Sequence, residues 1–210
     1  AVYSTMFPYT SAGPIVRYTD IETQLKQRTI NIFKFGIGAE LFVKGLAKKV
    51  LLADNLSVLY SSICGHPQMS VFTSWLGILA YTMQLYFDFS GYSDMAIGLG
   101  KMLGFDFNKN FDYPYISTSV SEFWRRWHIS LGSWFRDYIY IPLGGNRVST
   151  LKHIRNILVV WALTGLWHGA SWNFVLWGVY YGLFLLLEKF VLQKYLKKIP
   201  SWLCTVYTML

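Results

Sequence analysis

The sequence predicts an all-α, multi-helix integral membrane protein, with interfacial and re-entrant helices arranged around a central cavity. Three observations carry that class. Of the 210 residues 53% are hydrophobic and only 14% charged, where soluble domains carry about 25% charged residues. Nine Trp and fifteen Tyr supply rings of the kind that favour the membrane–water boundary. The net charge of +8 sits beside apolar segments, at Lys44, Lys48, Lys49, Arg125, Arg126, Lys152, Arg155, Lys189, Lys197 and Lys198. That placement belongs to cytoplasmic membrane edges and lipid headgroups. It does not form the basic face that nucleic acid needs, so nucleic acid is excluded as a partner and membrane lipid is expected.

Taken along the chain, the first 28 residues are mixed, with Pro8 and Gly13-Pro14 as breakers, and read as a loop or interfacial lead-in. From Ile30 to Ala53 the pattern is helical, but Lys34, Glu40, Lys44, Lys48 and Lys49 are strewn through it. Such a helix is packed on others or lies at the interface. The stretch from Asp54 to Ser70 holds no Lys or Arg and reads as an outer loop, in which Cys64 is an ordinary thiol. Residues 71–87 are long and apolar enough for a span with help from their flanks. They run into a region where Asp88 and Asp94 are set among Gly91, Gly98 and Gly100, small residues that permit close helix packing. These two carboxylates either cap and pack helices or line a substrate cavity.

Residues 105–156 form the polar middle. In "SEFWRRWHISLGSWFRDYIYIPLGGNR", Trp124, Trp127, His128, Leu131, Trp134, Phe135 and Tyr138 recur at three- and four-residue steps, away from Arg125 and Arg126. The spacing predicts one in-plane interfacial helix starting near a Ser121 cap and ended by Pro142 and Gly144-Gly145. Between Asn156 and Leu187 there is no Asp, Glu, Lys or Arg. About thirty residues exceed one span and fall short of two, so a broken, tilted or re-entrant element is expected, breaking at Gly165, Gly169 and Ala170. Non-helical backbone at that depth must border protein or a watery cavity.

His168 falls at that break, where its imidazole is expected to be uncharged and solvent-poor. An ionisable group at membrane depth is a functional candidate by default, and an imidazole suits general-base work near neutral pH. His128 shares the local setting, Trp127-His128 against Trp167-His168. A buried histidine bonded to a carbonyl is the alternative for it. His66 and His153 read as solvated loop residues, and the lone Cys64 and Cys204 fit no metal or redox spacing. The chain shows neither a zinc-ligand cluster nor a phosphate-binding glycine loop nor a GxSxG elbow. No resident cofactor or metal is expected.

Four blocks, "FPYTSAGPIVRY", "YFDFSGYSDMAIGLGKMLGFDFNKNFDYPY", "SEFWRRWHISLGSWFRDYIYIPLGGNR" and "TGLWHGASWNFVLWG", occur in order from about residue 7 to 190. Together they resemble the membrane-bound O-acyltransferase family, and within it the alginate O-acetyltransferase-like branch more than the D-alanyl-transfer branch. The resemblance implies that His168 is the essential catalytic residue and His128 the second histidine of the site. It further implies an acyl-CoA-type donor, acetyl-CoA in this branch, used as substrate from the cytoplasmic side. Its acceptor is a hydroxyl of an exported polysaccharide, reached with periplasmic or extracellular partner proteins. The expected location is the inner, cytoplasmic membrane, crossed several times. Residues 1–210 read as the central part of one such domain, truncated at both ends.

On this reading Arg125, Arg126 and Arg136 grip donor phosphates or anchor to anionic lipid. Trp127 and Trp167 flank the donor or acceptor beside the two histidines, with Asp88 and Asp94 lining the pocket. A proton-coupled transporter relaying through Asp88, Asp94 and His168 is the alternative, but it calls for repeats with paired broken helices, and one break with no repeat is found.

Overall fold

The computed structural model describes residues 3–9 and 13–209, and among these every regular element is helical. The chain divides into two compact units, residues 1–110 and 111–210.

The first unit holds α1 (Tyr18–Lys26), α2 (Ile32–Ala47), α3 (Asp54–Cys64) and α4 (Val71–Met102). The predicted lead-in therefore contains a short helix. Asn31 starts α2 by accepting from the Lys34 N–H at 2.8 Å. The expected loop from Asp54 onward is also helical as far as Cys64, because a π-helical stretch, Lys48–Ala53, carries α2 straight into α3. A wider turn frees carbonyls. The Asn55 side chain takes up that of Leu51 at 2.9 Å, with Val50 at 3.4 Å.

Helices α2 and α4 run antiparallel with glycine facing glycine. A Cβ on Gly38 would lie 2.6 Å from the Gly98 carbonyl oxygen, and one on Gly45 would lie 2.5 Å from that of Gly91. Only hydrogen fits where two backbones approach this closely. The contact brings the π-helical lysines onto α4, where Lys48 pairs with Asp94 at 2.6 Å and Lys49 with Asp88 at 2.7 Å. Met6, Val16, Ile21, Phe105 and Phe107 form a small core at the other end of α4.

The second unit begins with a 3₁₀ turn, Pro114–Ile116, and continues with α5 (Val120–Arg126), α6 (Ile129–Phe135) and a π-helical stretch, Arg136–Tyr140. It is completed by α7 (Thr150–His168), α8 (Trp172–Leu187), a further π-helical stretch (Glu188–Leu192), α9 (Gln193–Leu196) and α10 (Ser201–Met209). The single interfacial helix expected here is instead two seven-residue helices meeting at Trp127-His128. Trp127 is extended and His128 is left-handed, with φ +46° and ψ +54°. The break has a cause. The Asp112 N–H donates to the Arg126 carbonyl at 2.9 Å, and the Arg126 guanidinium holds the Asp112 carbonyl at 3.0 Å and Glu122 Oε1 at 2.7 and 2.9 Å. An oxygen that a continuing helix would offer to its own chain is taken by a neighbouring segment. The cap of α5 is Ser119, whose Oγ accepts from the Glu122 N–H at 3.0 Å, and not Ser121.

Helices α7 and α8 form an antiparallel hairpin that turns at Gly169–Ala170–Ser171, where the sequence places its break. Gly165 and Gly178 set the spacing: a Cβ on Gly165 would strike the Phe174 carbonyl oxygen, and one on Gly178 that of Trp161. The legs contain 19 and 16 residues, and the hairpin is longer than the uncharged stretch because α7 keeps Lys152 and Arg155 within its outer turns. At the end away from the turn, Lys189 Nζ reaches His153 Nε2 across the hairpin at 3.1 Å. His153 is thus no solvated loop residue. It is buried in α7, and its Nε2 lies 3.0 Å from the Tyr140 hydroxyl. His66 lies in an exposed loop as expected.

Asn156, fully buried, fastens the chain before α7 by donating from Nδ2 to the carbonyls of Leu143 and Gly145, both at 3.0 Å. Gly144 and Gly145 have φ +97° and +56°, the region glycine enters at no steric cost. Among the described residues one helix, Trp172–Leu196, is long and apolar enough to cross a membrane. Side chains such as Ile32, Val71, Leu151 and Trp172 stay 78–86% exposed, a surface suited to lipid and ill suited to water.

Candidate functional site

His128 and His168 open onto the same cavity of about 180 Å³, lined also by Trp124, Trp127, Tyr140 and Thr164. They arrive from different directions. His168 is the last residue of α7, put at the hairpin turn because Gly169 follows it. His128 is the left-handed link between α5 and α6. Non-glycine residues held at positive φ cluster at functional sites, where the surroundings hold the strain.

Aromatic rings fix both imidazoles. His168 meets Trp177 edge-on at 5.0 Å between centroids, stacks toward Phe174 at 6.2 Å and abuts Trp167 at 5.0 Å. Trp167 also lies 5.8 Å from the His128 ring, bridging the pair. Trp127 packs against Phe111 and Phe123, at 5.0 and 5.7 Å. Trp124 sits edge-on to Trp161, Trp177 and Tyr181. Its buried Nε1–H has no acceptor among the described residues, an uncommon condition for a buried donor.

The two histidines differ in burial, in the opposite sense to expectation. His128 is 5% exposed, whereas His168, expected to be the solvent-poor one, is an exposed residue whose ring faces aromatic neighbours. Helices α5 and α6 are about 10 Å long, far too short to span a bilayer. At their junction burial, with the His168 imidazole second, pushes the His128 ring down to about 4, so it is neutral at ordinary pH. Its Nδ1 lies 3.4 Å from Ser130 Oγ.

The other expected site residues separate. The Arg126 guanidinium is committed to Glu122 and Asp112. The Thr118 N–H, together with the Thr118 hydroxyl and that guanidinium, holds the Glu122 carboxyl down at about 2. Arg136 is the exception: it pairs with Asp137 at 2.7 Å and still lines the histidine cavity. Asp88 and Asp94 are paired with the two lysines of the first unit, and the cavity of the histidines is walled entirely by residues of the second.

Arg125 lines a second, larger chamber of about 770 Å³, which shares Trp124, Tyr140, Val160 and Trp161 with the histidine cavity. Tyr140, Trp161 and Thr164 were not expected in the site. For α7 a signal existed: Trp161, Thr164 and His168 recur at steps of three and four, one face of a helix. For Tyr140 there was none, because a π-helical stretch turns it toward α7.

The model of the MBOAT, membrane-bound O-acyltransferase family matches residues 1–199. The chain is 50% identical over 189 residues to the probable alginate O-acetylase AlgI of Azotobacter vinelandii, covering 90% of this chain and 38% of that protein. It is 39% identical over 217 residues to the peptidoglycan O-acetyltransferase of Helicobacter pylori, covering 98% and 41%. To the teichoic acid D-alanyltransferase of Bacillus subtilis it is 29% identical over 210 residues, covering 94% and 52%. The chain thus spans about two fifths of the length of the first two of these relatives. An all-helical chain with a glycine-packed hairpin, two histidines on one cavity and a family match over nearly its whole length belongs to the membrane-bound O-acyltransferase family.

Proposed function

We propose that this chain carries the histidine centre of a membrane O-acyltransferase, which moves an acyl group, acetyl by preference, onto hydroxyls of an exported polysaccharide such as alginate. The single observation behind this is that His128 and His168, from different elements, open onto one cavity. The names of relatives such as the alginate O-acetylase and the peptidoglycan O-acetyltransferase support acetyl as the group and a polysaccharide as the acceptor.

His168 takes the proton of the acceptor hydroxyl as its oxygen attacks the thioester carbonyl of an acyl-CoA-type donor, acetyl-CoA in the simplest case. The new C–O bond forms, the C–S bond breaks, and the departing sulfur receives the proton from His168 and leaves as a thiol. General-base catalysis of this kind contributes about 100- to 10,000-fold. Neutral and buried, His128 donates a ring N–H to the developing oxyanion or orients the acceptor. Trp167, whose ring contacts both imidazoles, fixes how they face each other. The α7–α8 hairpin is the re-entrant element around the cavity, in an inner-membrane protein crossing several times and handing its product to periplasmic or extracellular partner proteins.

His168→Ala in the full-length membrane protein tests this. The expected result is loss of acetyl esters from the exported polymer by at least about 100-fold, with normal insertion of the protein. Wild-type acetylation in a normally inserted variant removes the base assignment.

A further inference from the structure

Tyr140 walls the histidine cavity but is held differently from the other rings there. Trp124, Trp127 and Trp161 are wedged among further aromatic side chains. Among the described residues the Tyr140 ring has one aromatic neighbour, the His153 imidazole, at 6.2 Å between centroids. The backbone of Tyr140 is fixed, because its carbonyl accepts from the Gly145 N–H at 2.8 Å. What remains to be set is the side chain, and its hydroxyl lies 3.0 Å from His153 Nε2.

His153 is itself well anchored. It is 7% exposed in α7, with the Phe190 ring 6.1 Å away. Lys189 Nζ, from the stretch that extends α8, reaches the same Nε2 at 3.1 Å. An ammonium can only donate, so Nε2 presents its lone pair and the imidazole proton sits on Nδ1. Toward that nitrogen the Tyr140 hydroxyl then has one role, that of donor. Lys189 thus fixes the tautomer of His153 and the direction of the hydroxyl together.

We propose that His153 is a positioning residue for acyl transfer: its Nε2 holds the Tyr140 hydroxyl, and with it the ring that walls the histidine cavity. The catalytic consequence rests on the acyltransferase reading above. The hold on the ring does not.

The test compares His153→Phe, which keeps a buried ring and removes the acceptor, with His153→Gln, whose Oε1 reaches as far along the side chain as Nε2. Both are made in the full-length membrane protein, with meta-fluorotyrosine in place of Tyr140 as a probe of the ring. His153→Phe is expected to lower kcat about tenfold, the rate equivalent of one hydrogen bond. Donor KM stays within about twofold, and the fluorine resonance moves. His153→Gln restores most of kcat and returns the resonance. Tyr140→Phe, which keeps the ring without its hydroxyl, lowers kcat to the same degree, and adding His153→Phe to it lowers kcat no further. A His153→Phe protein that melts earlier yet keeps wild-type kcat and an unmoved resonance overturns the proposal, as do losses that multiply in the double variant. Where His153→Phe fails to insert, Tyr140→Phe carries the test, and wild-type kcat in it overturns the proposal. A wild-type protein that transfers no acyl group removes the acyltransferase reading instead, and the resonance still decides whether His153 holds Tyr140.

Discussion

Glu188 joins α5 to the end of α8, and its removal has a calculable cost. The residue is 3% exposed, and its two carboxylate oxygens hold the first N–H groups of α5, those of Val120 and Ser121, with the Tyr207 hydroxyl at 3.5 Å. A helix N-terminus carries partial positive charge, so a carboxylate from another element both satisfies and complements it. Each such charge-assisted bond contributes about 1.5–3 kcal/mol. Glu188→Ala strips both and leaves two N–H groups without acceptors, one of them on buried Val120. After relaxation the expected loss is about 3–5 kcal/mol. Glu188→Gln keeps one acceptor oxygen and turns an amide N–H against the other donor, losing about 2 kcal/mol. Ser119→Ala, which removes the ordinary cap on the Glu122 N–H, costs about 1 kcal/mol. Thermal unfolding of the detergent-solubilised full-length protein should rank Glu188→Ala below Glu188→Gln, and both below Ser119→Ala. Since α5 leads into His128, acyl transfer should fall in the same order. A Glu188→Gln protein as stable as wild type, or a Ser119→Ala protein less stable than Glu188→Ala, would refute the inter-element cap.

The glycine positions separate by what a methyl group would meet. Gly178→Ala drives a Cβ into the Trp161 carbonyl oxygen and should cost several kcal/mol, about 3 or more, whereas Gly36→Ala meets nothing within 4 Å and should be neutral or stabilising by up to about 1 kcal/mol. Melting temperatures of the two variants check this, and equal shifts would contradict the close approach of α7 and α8. For His128 the folded value, about 4, lies below the ordinary 6.5, so the unfolded chain binds the proton first. The stability it confers is complete above pH 6.5 and drains away as pH falls to about 4, by about 3 kcal/mol over the window. His128→Asn, which tolerates the left-handed backbone, should flatten that slope in melting curves taken across the window.

Much of the site could be read from residue order, and the failures have identifiable physical causes. The break beside His168 follows from local chemistry: Gly169 does not continue a helix cheaply, and no charge interrupts residues 156–187 on either side of it. The interfacial helix through His128 was misread because the aromatic steps of three and four persist across it, while what ends α5 is the Asp112 N–H arriving from elsewhere in the chain. His153 looked solvated beside Lys152, yet Tyr140 and Lys189, one before and one far after it, bury it. Asp88 and Asp94 looked free to line a pocket until the glycine contact of α2 and α4 set two lysines on them.

Composition and periodicity, being properties of neighbours in the chain, determined that the protein is helical, suited to lipid and broken beside His168. Which groups meet was decided by tertiary structure alone. A glycine fixes how near two helices lie only once both are present, and a carboxylate such as Glu188 caps a helix far from it in sequence only after the hairpin has folded back. The joining of His128 to His168 belongs to this second kind: each imidazole is placed by its own local break, and the cavity between them exists because α7 packs beside α5 and α6.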